Sequence, residues 1–170
     1  MRKIIIAGNW KMYKTLKDGQ ELVVSLRREL FQIENVEIVV CPPYTLIAYL
    51  ADALETSNIA LGAQDVYWQE EGAFTGEVSP VMLKDAGCLY VIIGHSERRQ
   101  YFGETNEIIN KKARAALKGG LKVILCIGED TRDTFDSRGH WTHELDPKVK
   151  DQLAEALRDV KKSQIQNIVV

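Results

Sequence analysis

Residues 89–129 read LYVIIGHSERRQYFGETNEIINKKARAALKGGLKVILCIGE. Two short apolar runs, 89–93 and 121–126, flank a segment of helical periodicity over 105–118. Runs that are apolar throughout, rather than alternating, predict strands covered on both faces; joined by a helix, such strands are parallel. Thr105 is placed to cap the helix, and Gly119-Gly120 to stop it. Between the first strand and that helix stand Gly94, His95, Ser96, Glu97, Arg98 and Arg99, with a short helix expected over 96–102. An imidazole, a hydroxyl, an acid and two guanidiniums at a strand's carboxyl end sit where parallel α/β folds do their chemistry.

The same unit repeats outward along the chain. Strands are expected at 3–8, read as a buried strand, and at 36–41, 59–64 and 167–170. Helices are expected over 15–31, with Thr15 and Asp18 as a variant capping box, and over 44–55. Ser79-Pro80 opens a further helix, and Asp146-Pro147 caps one running to about Lys162. The resulting βαβαβαβαβαβ order fits either an open doubly wound sheet or a (βα) barrel traced partway round. The loop 128–145 is the one long irregular stretch, and it holds His140 and His143.

Composition narrows the function. The 170 residues are 45% hydrophobic and 27% charged, which is globular, and a net charge of −2 gives no footprint for nucleic acid or anionic lipid. No apolar run is long enough for a signal-peptide core or a membrane span. Cys41, Cys88 and Cys126 are an odd number at irregular spacing, which reads as reduced, packed thiols in a cytoplasmic protein. His140 and His143 form an HxxH without an evident third ligand, so no metal is expected.

The residues following each strand carry the chemistry. Asn9 and Lys11 follow the first, Gln64 and a loop containing Thr75, Gly76 and Glu77 follow the third, His95 and Glu97 follow the fourth. An ammonium, an amide and an imidazole on one rim suit a small anionic substrate with a carbonyl to polarise. The start of the 96–102 helix favours a neutral His95, which can donate to a carbonyl oxygen. Lys11 would stabilise enediolate and phosphate charge, with Glu97 placed to pair with it or simply to complement the helix dipole.

AGNWKM (7–12), CPP (41–43), GAQDV (62–66), GAFTGEVSP (72–80), IIGHSERR (92–99) and CIGE (126–129) together resemble the triosephosphate isomerase family, in order and close to its spacing. The resemblance covers essentially the whole chain as a single domain, 1–170. It implies a parallel (βα)8 TIM barrel, present here as five βα units and the start of the sixth strand. It implies a glycolytic and gluconeogenic isomerase of dihydroxyacetone phosphate and D-glyceraldehyde 3-phosphate, without cofactor or metal. By resemblance Asn9 and Lys11 bind substrate, His95 is the electrophile and Glu97 a neighbouring active-site acid. The family is homodimeric: Thr75 and Gly76 would lie in the loop that enters the partner subunit, Glu77 would meet the partner's Arg98, and Gln64 would support the contact.

The family's catalytic base is a glutamate a few residues past the position of Val170, followed by a lid and glycine-rich phosphate loops. A (βα)8 barrel takes about 250 residues. The 170-residue chain is therefore expected to be inactive alone, and poorly folded, aggregation-prone or held by association. Two other readings stay open: a non-catalytic half-barrel needing a complementary fragment, and a doubly wound nucleotide-binding protein. The second is weak, because GNWK follows the first strand in place of a glycine-rich phosphate turn.

Overall fold

The structure is a computed structural model that describes residues 3–129, 137–138 and 147–170. Six strands pair in chain order, each parallel to the next: β1 (Ile4–Asn9), β2 (Val36–Cys41), β3 (Ile59–Ala63), β4 (Tyr90–Ile93), β5 (Lys122–Leu125) and β6 (Ile168–Val169). The described helices are α1 (Leu16–Leu30), α2 (Tyr44–Leu54), α3 (Pro80–Asp85), α4 (Ser96–Phe102), α5 (Asn106–Lys118) and α6 (Pro147–Ala156). Parallel neighbours need a crossover to carry the chain back, and the helices supply it.

Local sequence sets the helix starts. Thr15 and Asp18 form the full capping box of α1, Ser79 accepts the Met82 amide ahead of Pro80, and Thr105 accepts the Ile108 amide. Alternation along the strands then sorts side chains into two cores. Ile38, Val40, Leu61, Val91 and Ile93 pack toward the helices, against Leu46, Leu50 and Ile109 among others. Val39, Cys41, Tyr90 and Ile92 pack together on the opposite face.

That second face is concave. In a flat sheet β2 and β5 would lie about 14 Å apart, at roughly 4.8 Å per step. Yet Glu37 of β2 and Lys122 of β5 meet at 2.9 Å, with the Tyr90 hydroxyl 3.1 Å from the same ammonium. The inner layer has room for this because β3 contributes Ala60 and Gly62 there. A Cβ on Gly62 would stand 2.7 Å from Cys41 Sγ and 3.2 Å from Tyr90 Cβ. The six strands thus form part of a barrel wall.

Two expectations need correction. The apolar run 3–8 predicts a buried strand, but Ile4 and Ile6 of β1 are 67% and 61% exposed. β1 has β2 on one side, and among the described residues no strand pairs with its other edge. The last helix was expected to reach Lys162 and instead ends at Ala156. Asn110 of α5 donates to the carbonyls of Ala156 and Arg158, and Asp159 turns to φ 61°, so the helix is capped and broken there. A 3-10 turn, Lys162–Asn167, leads into β6. Asp146, expected to cap α6, lies outside the described residues, as do His140 and His143.

Gly62→Val tests the curl. Overfilling the inner layer should lower the free energy of unfolding by about 1–3 kcal/mol, read from the urea midpoint at unchanged m-value. An unchanged midpoint would mean that the concave face has space to spare.

Candidate active site

The carboxyl ends of β1 and β4 meet over the concave face. Lys11 Nζ lies 2.8 Å from Glu97 Oε1, joining residues 86 apart in the chain. Each partner shifts the other: the hydrogen bond and charge of Glu97 raise the Lys11 pKa, and the hydrogen bond from Lys11 lowers that of Glu97. Glu97 therefore stays ionised to lower pH, and Lys11 protonated to higher pH, than either would alone. The pair is half exposed, so it contributes orientation more than stability.

Lys11 is held in an unfavourable backbone conformation, with φ 53°. Two side chains keep it there. Asn9 Oδ1 accepts the Lys11 amide at 2.9 Å, and Gln64 Nε2 donates to the Lys11 carbonyl at 2.8 Å. The same Gln64 amide reaches the carbonyl of Cys41, the last residue of β2, at 2.9 Å. Strand ends β1, β2 and β3 are thereby tied at one point.

His95 is the N-cap of α4, and its Nδ1 accepts the Glu97 amide at 3.3 Å. Glu97 Oε2 is 3.5 Å from the same nitrogen, but the amide is nearer and directional. In the neutral ring the lone pair therefore sits on Nδ1 and the hydrogen on Nε2. The imidazole is 22% exposed and lines a cavity of about 990 Å3, together with Ser96, Cys126, Ile127, Gly128 and Glu129. Gln152 of α6 grips the Gly128 peptide from both sides, at 2.9 and 3.0 Å, fixing the exit of β5. Asn9 and Lys11 are not among the residues lining this cavity; they reach His95 by way of Glu97.

A buried charge network underlies α4. Lys112 Nζ lies 2.6 Å from Asp65 Oδ1 and 2.5 Å from Glu104 Oε1, with its side chain 3% exposed. Arg98 adds 3.0 and 2.5 Å contacts to the same two acids. Burial works against the Arg98 charge, yet Asp65 and Glu104 outweigh it and raise the pKa. Asp65 opens the loop after β3, so the network fastens that loop to α4. The loop is braced by its own aromatics: Tyr67 stacks on Trp68 at 4.0 Å and meets Phe74 at 4.7 Å, and the Tyr67 amide donates to Val78. Thr75, Gly76 and Glu77 are exposed at its tip.

The triosephosphate isomerase family model matches residues 4–170. The chain belongs to the triosephosphate isomerase family. It is 56% identical, over 79% of its length, to the triosephosphate isomerase of Citrifermentans bemidjiense, and 49% identical, over its whole length, to that of Moorella thermoacetica. A crystal structure of triosephosphate isomerase from Bartonella henselae superposes on 99% of the chain with a TM-score of 0.83 at 33% identity. The chain spans 56% and 66% of the lengths of those two relatives, and 66% of the solved chain. The curled sheet is thus part of the family's (βα) barrel.

Within this family frame, the structure brings Asn9, Lys11, Gln64, His95 and Glu97 to one rim. Thr75, Gly76 and Glu77 stand apart on the loop tip, and Arg98 has its charge met by Asp65 and Glu104 of its own chain. The reading from sequence missed the grip of Gln64 on Lys11 and the roles of Lys112 and Gln152. Lys112 did leave a signal: it falls on the apolar stripe Ile109, Ala113, Ala116 of α5, where a lysine needs a buried counter-charge. Among the described residues, no group of three His, Cys, Asp or Glu could hold a metal ion.

Lys112→Met should cost about 3–5 kcal/mol in urea unfolding, because it strands two buried carboxylates on one arginine. A loss below about 1 kcal/mol, the range of a surface substitution, would show that the network is solvated.

Proposed function

We propose that the chain acts in the interconversion of dihydroxyacetone phosphate and D-glyceraldehyde 3-phosphate, by proton transfer through an enediolate. The observation that carries this reading is the convergence of Lys11, Glu97 and His95, with Asn9 beside them, on one rim of a triosephosphate isomerase fold. Lys11, its charge kept by Glu97, attracts the phosphate and the negative charge that develops on the enediolate. His95, with its hydrogen on Nε2, polarises the carbonyl as a neutral electrophile, the chemistry established for this family. The resemblance implies a glutamate after the sixth strand as the base of this reading. The whole is one domain, and its free thiols fit a reducing, cytoplasmic setting. Burial pushes Cys41 and Cys88 up to about 12, which keeps them unreactive.

A homodimer is part of the proposal. The preformed loop tip of Thr75, Gly76 and Glu77 would enter a second copy near its own Asn9 and Lys11, supported by Gln64 and Arg98. Met12 and Tyr13, 93% and 70% exposed beside Lys11, supply apolar surface for such a contact. A second reading, a non-catalytic half-barrel that pairs with a complementary fragment, is favoured by exposed Ile4 and Ile6 on the edge strand.

Calorimetric titration of dihydroxyacetone phosphate separates these readings. Lys11→Met should weaken binding at least roughly tenfold, the value of a charged hydrogen bond; equal affinity in the two proteins would contradict the proposal. Where isomerisation is measured, His95→Gln should lower kcat about 10²–10³-fold at a similar KM, and an unchanged kcat would make His95 only a helix cap. Sedimentation tests the dimer: Thr75→Arg should move a dimer to monomer, and a monomeric wild-type protein at high concentration would reject it.

A further inference from the structure

Arg99 lies on α4 beside His95 and has no part in the reaction proposed above. Gly94, which joins β4 to His95, sits at φ 74°, and a Cβ there would come 3.0 Å from the carbonyl oxygen of Cys126. At this point the chain leaves the sheet. Ile93 still accepts from the Cys126 amide at 2.8 Å, whereas the Gly94 carbonyl is taken by the Arg99 Nε at 2.9 Å. Arg99 is four residues beyond His95, on α4, and its own amide donates to the His95 carbonyl at 3.1 Å. Arg99 therefore touches the peptide on each side of His95, the second together with the Arg98 amide at 2.9 Å. The guanidinium is aimed by a second contact, Nη1 to Asn106 Oδ1 at 2.7 Å, at the first residue of α5.

We infer that Arg99 is the positioning residue of His95: its guanidinium, braced by Asn106, clamps the Gly94 carbonyl so that the imidazole meets the Glu97 amide through Nδ1 and keeps its hydrogen on Nε2. A planar guanidinium suits the task because Nε and Nη1 donate in fixed, different directions, to Gly94 and to Asn106 at once. An ammonium is a point donor and holds one of the two with no fixed plane. Without the clamp, Gly94, which has the widest backbone freedom of any residue, would let the His95 peptide turn. The ring would then lose the 3.3 Å amide contact that selects its tautomer. This rests on the reading of His95 as the electrophile, but its test needs no substrate.

The measurement is a long-range 1H–15N spectrum of the histidine rings in the full chain. The chain has three histidines, so His140 and His143 serve as references in the same spectrum. The wild-type His95 ring should show one well-separated pair of nitrogens, Nδ1 bare and Nε2 protonated. Arg99→Met should collapse that separation toward a tautomer average while His140 and His143 stay in place. Asn106→Ala removes the brace but leaves the Arg99 Nε on the Gly94 carbonyl, so it should lower the melting temperature while disturbing the His95 pattern less than Arg99→Met does. Arg99→Lys should give an intermediate pattern, and it carries the test if Arg99→Met does not fold. A wild-type His95 pattern in both Arg99 variants, with melting lowered as in Asn106→Ala, would overturn the inference and leave Arg99 as a fastener of α4 to α5. Failure to bind dihydroxyacetone phosphate would count against the proposed function and not against this clamp.

Discussion

The 2.8 Å contact between Lys11 and Glu97 depends on the curl of the sheet. It joins the end of the first strand to the helix after the fourth, three strand steps away. A flat sheet would place those ends about 14 Å apart, a span that only fully stretched side chains could bridge. The curl rests in turn on small residues, Ala60 and Gly62, at the middle of the concave layer, where a Cβ on Gly62 would collide with Cys41. A packing constraint deep in the sheet thus decides whether an ammonium and an imidazole can share one rim. The ion pair itself contributes little stability; its value is that it fixes a direction for the Lys11 charge.

The rim is held by groups that bind backbone carbonyls. Gln64 takes those of Lys11 and Cys41, Arg99 that of Gly94, and Gln152 that of Gly128. Each carbonyl lies at or just past a strand end, where side chains take over from the regular ladder in fixing the backbone. At Lys11 the backbone also has positive φ, an arrangement that a residue with a Cβ keeps only when the surroundings fix it. Beneath them, Lys112 and Arg98 fasten the loop after β3 to α4 through Asp65 and Glu104. Lys11, Glu97 and His95 are therefore placed by the protein itself, which under the proposed function leaves little to reorganise on binding.

Much of this was legible in the sequence. Continuous apolar runs separated by amphipathic segments predict parallel strands, and Thr15, Ser79 and Thr105 mark helix starts by their hydroxyls. The polar residues after strands one, three and four predict the rim. What escaped was long-range or set by neighbours. The exposure of Ile4 and Ile6, which share the helix-facing side with Ile38, depends on what covers that side of β1, which an apolar run cannot state. The early end of α6 is imposed by Asn110, 46 residues away in the chain. The pairing of Gln64 with Lys11 crosses 53 residues and leaves no periodic trace. Only Lys112 gave a local clue, as a charge on an apolar stripe.

Under the proposed function Lys11 and His95 read one small ketone between them, the first through charge and the second through its carbonyl. The most direct measurement is the infrared carbonyl stretch of dihydroxyacetone phosphate bound to the chain. The account predicts a stretch lowered from that of the free ketone in the wild type, and restored toward the free value in His95→Gln with the ligand still bound. A bound ketone whose stretch is the same as in solution would contradict it.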